Sequence, residues 1–169
     1  MKKETIYVFL IVSIIFIYGC STGTQAGVEA EKISSEKGEI QKTTKALTQF
    51  AGSTSPYYRF DKAHFENSLQ QNKIIFLDFH ADWCPICLRE KPDILAAFDQ
   101  LNDENVVGYQ VHYNDGQTTE DDKEMAKKYG ITYQHTKVII GKDGKVALKS
   151  LEVFSKEKII NEINKALSE

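Results

Sequence analysis

The stretch Phe76-Leu-Asp-Phe-His-Ala-Asp-Trp-Cys-Pro-Ile-Cys87 decides the fold. Its first half continues an apolar run from Ile74, as expected of a strand buried inside a sheet. Its second half places Cys84 and Cys87 three positions apart, so both side chains lie on one face at the start of a helix. A helix amino terminus stabilises negative charge and lowers the pKa of the first thiol. We therefore predict a redox pair in which Cys84 attacks a disulfide and Cys87 resolves the product.

The chain has three cysteines, and the third lies far from this pair. Cys20 follows a short basic start and an apolar run over 6–18, which is typical of a signal peptide and short for a bilayer span of ~20 residues. The segment Ile17-Tyr-Gly-Cys20 resembles the bacterial lipoprotein signal, and this resemblance implies that Cys20 is lipidated. We predict a signal peptide over residues 1–20, with an uncleaved anchor helix as the alternative. Both place the protein outside the cytoplasm, beside a membrane.

That location favours disulfide chemistry, because disulfides form and persist outside the cytoplasm. If Cys20 carries lipid, Cys84 and Cys87 can pair only with each other. A disulfide that closes so short a loop restricts the unfolded chain little and therefore stabilises the fold little. The pair is better suited to redox chemistry than to a structural role.

Composition divides the chain after Cys20. Residues 21–55 are polar with mixed charge, which predicts a tether, although a packed helix using Ile40, Leu47 and Phe50 is an alternative. Residues 56–169 are enough for one domain with one core. The net charge is −3 and no basic patch is evident, so nucleic acid is not an expected partner. We expect a monomer.

Helix and strand patterns alternate through this domain. Apolar runs and alternating patterns predict four strands, at 74–79, 106–113, 137–140 and 146–151. Asp61, Thr119 and Ser155 are suited to cap three of the four predicted helices. The predicted order is helix, strand, helix, strand, helix, strand, strand, helix. This order indicates an α/β fold in which helices sandwich a mixed central β-sheet.

From about Phe60 to its end, the chain resembles the thioredoxin superfamily. The segment Trp83-Cys-Pro-Ile-Cys87 matches the Trp-Cys-x-x-Cys motif of that family. Asp78 falls where thioredoxins keep a buried aspartate. Three further landmarks match at Pro92, Tyr129-Gly-Ile131 and Lys142-Asp-Gly144.

The resemblance implies a thioredoxin fold and a thiol–disulfide oxidoreductase that needs no cofactor beyond its own Cys84–Cys87 disulfide. Asp78 would exchange a proton with Cys87, since a carboxylate in an apolar strand has a raised pKa. Trp83, Pro85 and Ile86 would neighbour the active site, where the last two tune the reduction potential. The expected partners are protein thiols and disulfides of the cell envelope, together with a membrane electron donor if the protein acts as a reductant.

One family landmark is missing. Thioredoxins carry a cis-proline in the substrate-binding loop, where alignment places His135 between Gln134 and Thr136. Cis bonds away from proline cost about 2.5–4 kcal/mol, so we expect a trans bond here. By this alignment, a proline at position 135 should raise turnover.

His135 has three possible roles: a metal ligand, a group that tunes the thiolate, or a loop residue without chemical consequence. Two thiolates and an imidazole suit Cu(I) or Zn(II). Sco-type copper chaperones resemble this loop, although their cysteines are spaced one residue wider. The alternative function is therefore a copper chaperone or copper-site reductant that uses Cys84, Cys87 and His135. His80 is expected to pack beside the cysteines, and no role is assigned to His64 or His112.

Overall fold

A computed structural model describes residues 46–169. The predicted signal peptide, Cys20 and most of the predicted tether lie outside this range. Within it, no helix combines the length and apolar character needed to cross a membrane.

The described chain contains six strands and four helices. In chain order they are β1 (Gln49–Ala51), β2 (Tyr57–Arg59), α1 (Lys62–Gln70), β3 (Ile74–His80), α2 (Pro85–Gln100), β4 (Val106–His112), α3 (Glu120–Lys128), β5 (Thr136–Ile140), β6 (Val146–Ser150) and α4 (Lys156–Ser168). From α1 onward, this is the predicted order. The predicted caps Asp61, Thr119 and Ser155 each accept a hydrogen bond from a backbone N–H in the first turn of their helix.

A single six-stranded mixed sheet forms the centre of the fold, in the order β1-β2-β4-β3-β5-β6. β3 pairs in parallel with β4 and antiparallel with β5, and every residue of these three strands is buried. One core cluster contains apolar side chains of α2 and α4, and a second contains side chains of α1 and α3. The predicted α/β sandwich is confirmed. β3 also ends four residues before Cys84, so the centre of the sheet positions the redox pair.

The folded body begins earlier than residue 56. β1 pairs antiparallel with β2, Gly52 donates its N–H to Asp99 Oδ1 at 2.9 Å, and the fully buried Ser55 hydroxyl donates to the Asp103 carbonyl at 2.8 Å. Residues 49–55 therefore belong to the sheet and its edge, not to the predicted tether. Phe50 lies in a strand, so the alternative of a helix through Phe50 is also wrong.

Candidate active site

Cys84 and Cys87 form a disulfide, with their Cα atoms 5.3 Å apart. Cys84 is the N-cap of α2, and its Sγ accepts a hydrogen bond from the Cys87 N–H at 3.2 Å. Pro85 occupies the first turn, where its missing N–H costs the helix nothing. The cysteines are only 3% and 2% exposed. The same N–H and the helix amino terminus would stabilise a thiolate on Cys84 after reduction.

Several exposed apolar side chains flank the disulfide. Trp83 is 54% exposed and Ile86 37% exposed, and Pro85 is also exposed. The Trp83 indole N–H donates to the Asn114 carbonyl at 3.0 Å, which fixes the ring against the loop after β4. The sequence did not single out Tyr133, which is 62% exposed in the loop before His135. Exposed aromatic and aliphatic side chains of this kind suit contact with another protein.

Asp78 lies in β3 and is 3% exposed. The Tyr57 hydroxyl is its hydrogen-bond donor, 3.3 Å from Oδ2. Burial raises the pKa of the Asp78 carboxyl to about 7, although the Lys137 ammonium lowers it. The environment is the one predicted from the sequence, and it makes Asp78 able to gain or lose a proton near neutral pH.

The loop at His135 has a left-handed backbone, with φ at +68°. The His135 N–H donates to the Phe79 carbonyl at 2.6 Å, which holds the loop against the end of β3. Thr136 begins β5, and its hydroxyl donates to the Tyr133 carbonyl at 2.7 Å, while Gln134 is half-buried. These bonds keep the three predicted loop residues next to the strand that leads to Cys84.

The His135 side chain contacts charged groups. Its Nδ1 lies 2.9 Å from Glu90 Oε2, and the Lys137 ammonium lies 3.2 Å and 3.3 Å from its two ring nitrogens. Burial, followed by the Lys137 charge, lowers the pKa of His135 to about 4, so the ring is neutral at pH 7. A neutral ring cannot lower the pKa of the Cys84 thiol by its charge, which argues against the tuning role as predicted.

The structure also argues against the alternative in which Cys84, Cys87 and His135 bind copper. An ammonium group beside both ring nitrogens of His135 repels a metal cation. In the described part of the chain, the three metal-ligating side chains that come together are Asp82, His112 and Asp115 rather than Cys84, Cys87 and His135.

Sequence reasoning missed the buried ion pair between Glu90 and Lys137. The Lys137 ammonium lies 2.7 Å from Glu90 Oε2, and the side chains are 0% and 1% exposed. Two signals were available. Lys137 stands beside Val138-Ile-Ile140 in an otherwise apolar strand, and Glu90 follows Cys87 by three residues on the same helix face.

The sequence model of the Thioredoxin family matches residues 57–165. The chain belongs to the thioredoxin family. Thioredoxin H2 from Arabidopsis thaliana is 32% identical over 77 residues, which are 46% of this chain and 52% of that relative. The chain thus matches about half the length of that curated thioredoxin.

Solved structures show the same fold. Thioredoxin from Aeropyrum pernix has a TM-score of 0.53 at 17% identity, covering 70% of this chain and 92% of its own. Thioredoxin NaTrxh from Nicotiana alata has a TM-score of 0.51 at 23% identity, covering 69% and 97%. The DsbH oxidoreductase has a TM-score of 0.54 at 21% identity, covering 70% and 88%. The predicted thioredoxin fold is confirmed, while these comparisons give no support to the likeness with Sco-type copper chaperones.

Proposed function

We propose that this thioredoxin-family chain is a thiol–disulfide oxidoreductase acting on protein disulfides through Cys84 and Cys87. The observation that carries the proposal is the disulfide at the start of α2, where Cys84 Sγ already accepts a helix N–H. The exposed apolar side chains Trp83 and Ile86 support a protein as the substrate, since such surfaces bind other proteins.

The reduced protein would transfer two electrons in two exchange steps. The Cys84 thiolate attacks one substrate sulfur, a Cys84–substrate disulfide forms, and the other substrate sulfur leaves as a thiolate. The Cys87 thiolate then attacks Cys84 Sγ and displaces the second substrate sulfur. The substrate gains both electrons and leaves as a dithiol, and the Cys84–Cys87 disulfide is restored.

Asp78 is our candidate acceptor for the Cys87 proton. It lies in β3, the strand that leads into the redox turn, and it is shielded from solvent. Its hydrogen-bond partner Tyr57 is also buried and would hold the carboxylate in place. In the first step the leaving substrate thiolate takes its proton from solvent, so a protein group that moves a proton, here a base, is needed only at Cys87.

We further propose that the protein works in the cell envelope, as a monomer held at the membrane by lipid on Cys20. The basic start, the apolar run and the Ile17-Tyr-Gly-Cys20 segment support this proposal. Reduction of envelope substrates would then require a membrane protein that donates electrons to the Cys84–Cys87 disulfide. Labelled fatty acid should enter the wild-type chain in cells and not the Cys20→Ser variant; equal labelling of both would contradict lipidation at Cys20.

Reduction of insulin by the full chain, with dithiothreitol as electron source and a chelator present, tests the oxidoreductase. Cys84→Ser should abolish turnover, whereas Cys87→Ser should accumulate a mixed disulfide between Cys84 and insulin because the resolving thiol is missing. Cys20→Ser is the matched control and should keep wild-type turnover in detergent. Turnover that survives Cys84→Ser would overturn the proposal.

A further inference from the structure

Within residues 46–169, all buried side-chain nitrogen and oxygen atoms without a hydrogen-bond partner belong to two neighbouring side chains. The atoms are both ring nitrogens of His80 and Oε1 of Gln110. His80 is 1% exposed. Leaving such an atom unpaired destabilises the folded state, and native proteins contain few of them. Their concentration at one place makes it a candidate site for a polar ligand or an ion.

The sheet explains why these groups meet. His80 and His112 are the last residues of the parallel strands β3 and β4 and are directly paired in register. Their rings lie 5.8 Å apart, edge to face. The loops that follow the two strands contribute Asp82 and Asp115, and the Asp82 N–H donates to Asp115 Oδ2 at 3.1 Å. Two imidazoles and two carboxylates therefore lie together at the carboxyl-terminal ends of β3 and β4.

Three of the donor atoms are close enough to share an ion. One ligand atom from each of Asp82, His112 and Asp115 lies within 4.8 Å of the others. His80 Nε2 lies 3.3 Å from Asp82 Oδ1, so the unpartnered ring is aimed at this group. Donors on a tetrahedral zinc ion are roughly 3.3 Å apart, given zinc–ligand distances near 2.0 Å. The contact between His112 Nδ1 and Asp115 Oδ2, at 2.6 Å, would have to lengthen.

We propose that His80, Asp82, His112 and Asp115 form a binding site for a divalent transition-metal ion of the zinc type. Neutral imidazoles and carboxylates are ligands that Zn(II) accepts, and four of them complete its preferred tetrahedral shell. The two carboxylates also balance the charge of the ion. His80 and Asp82 precede the redox pair in the chain, and His112 and Asp115 follow it. The site uses neither cysteine and takes no part in the proposed oxidoreductase chemistry.

Gln110 supplies the expected support for a metal-bound His112. If His112 binds through Nδ1, which faces Asp115, its Nε2 must carry the proton. That Nε2 lies 3.3 Å from Gln110 Nε2, and a rotated amide would present the unpartnered Oε1 there instead. The Nε2–H would then donate to Gln110 Oε1, as metal-binding histidines commonly donate to a neighbouring acceptor. The single ring proton, which now lies between His112 Nδ1 and Asp115, would thus move to Nε2 by way of solvent.

Zn(II) titration of the full chain tests the site. The protein carries Cys20→Ser, no histidine tag and an oxidised Cys84–Cys87 pair, so no thiol can bind metal. Competition with a chromophoric chelator should show one Zn(II) per chain, and Co(II) should give the visible absorption of a tetrahedral site. We expect His80→Phe and Asp82→Asn each to weaken Zn(II) binding about tenfold or more.

Matched controls separate this site from adventitious binding. Asp121→Asn, at an exposed aspartate of α3, and His64→Gln, at a histidine outside the site, should leave the affinity unchanged. If His80 is only a buried ring, His80→Phe will raise the metal-free stability without changing Zn(II) affinity, and the proposal fails. Asp82 is about half exposed, so Asp82→Asn should fold whatever the fate of His80→Phe. Unchanged affinity in Asp82→Asn, or no stoichiometric binding by the parent protein, would also overturn the proposal.

Discussion

Lys137 and Glu90 form an ion pair inside the core, with the ammonium 2.7 Å from Oε2 and both side chains at most 1% exposed. The other Glu90 oxygen accepts the Phe154 N–H. One carboxylate thus joins α2, β5 and the segment that leads into α4. A buried pair of this kind is costly to break, because removing one charge leaves the other without solvent or partner.

Lys137→Met should therefore destabilise the protein by about 3–5 kcal/mol, and Glu90→Met by a similar amount. The double variant should recover most of that loss, since neither charge is then stranded and the apolar side chains can pack together. Urea unfolding of the four proteins, analysed as a double-mutant cycle, gives the coupling energy. Strictly additive losses would show that the two charges do not depend on each other.

Asp78 should make stability depend on pH. Its folded pKa is about 7, against an ordinary value of 3.8, so between these values the folded state holds a proton that the unfolded state has lost. The wild type should therefore lose stability as the pH rises from 4 through 7. Because Asp78→Asn cannot ionise, its advantage should grow over this range to on the order of 4 kcal/mol.

Urea unfolding of the Asp78→Asn variant and wild type at several pH values, with a chelator present throughout, measures this difference. The buried Tyr57→Phe variant is the control, because it removes the donor to Asp78 and keeps the carboxyl. Its stability should fall with rising pH as in the wild type. A stability difference between Asp78→Asn and wild type that stays constant from pH 4 to 8 would mean that Asp78 does not titrate in this range.

His135→Pro should now be expected to damage the protein, although the family alignment suggested a gain in turnover. Proline requires φ near −65°, whereas this residue has φ at +68°, and the bond from its N–H to Phe79 would be lost. We expect a loss of about 3 kcal/mol or more, with reduced insulin turnover.

His135→Gly is the matched variant for that substitution. Glycine adopts positive φ freely and keeps the N–H, so only the imidazole contacts with Glu90 and Lys137 disappear. It should unfold at a clearly higher urea concentration than His135→Pro. If His135→Pro proves more stable and more active than His135→Gly, the loop must adopt a backbone conformation different from the one in this structure.

Gly108 is confined by aromatic rings. A Cβ at this position of β4 would lie 2.6 Å from Tyr57 Cδ2 and clash with Phe98 Cζ. Gly108→Ala should therefore cost about 1–3 kcal/mol through overpacking, as measured by thermal unfolding. Gly116→Ala, where a Cβ meets nothing within 4 Å, should leave the melting temperature unchanged or slightly higher. Equal effects of the two substitutions would show that the rings around Gly108 move aside easily.

The sequence predicted the elements that carry a local signal. Apolar periodicity and helix caps predicted the order from α1 to α4, and the Cys-x-x-Cys spacing with Asp78 located the redox pair. β1 was not predicted because it is three residues long and is held by partners such as Asp99 that are distant in sequence. The contacts that define β1 form only when the sheet assembles.

The buried ion pair between Glu90 and Lys137 was missed for a related reason. In Leu88-Arg-Glu90-Lys, the glutamate belongs to a run that is typical of a solvent-exposed helix face. Its partner Lys137 becomes known only when β5 is placed next to β3. His80 and His112 likewise meet only through the parallel register of β3 and β4. The local signals at Glu90 and Lys137 indicate that each side chain faces the core, but they do not identify the partner of either.

One oxygen of the Glu90 carboxylate pairs with Lys137, and the other accepts the Phe154 N–H. These two contacts also limit how far α2 can rotate about its own axis. Apolar contacts tolerate sliding, but a helix that turned by one residue would carry Glu90 away from both donors. The direction in which Cys84 presents its sulfur is thereby set by electrostatics rather than by shape alone. Substitutions on the apolar face of α2 should then leave the direction of the Cys84 sulfur unchanged.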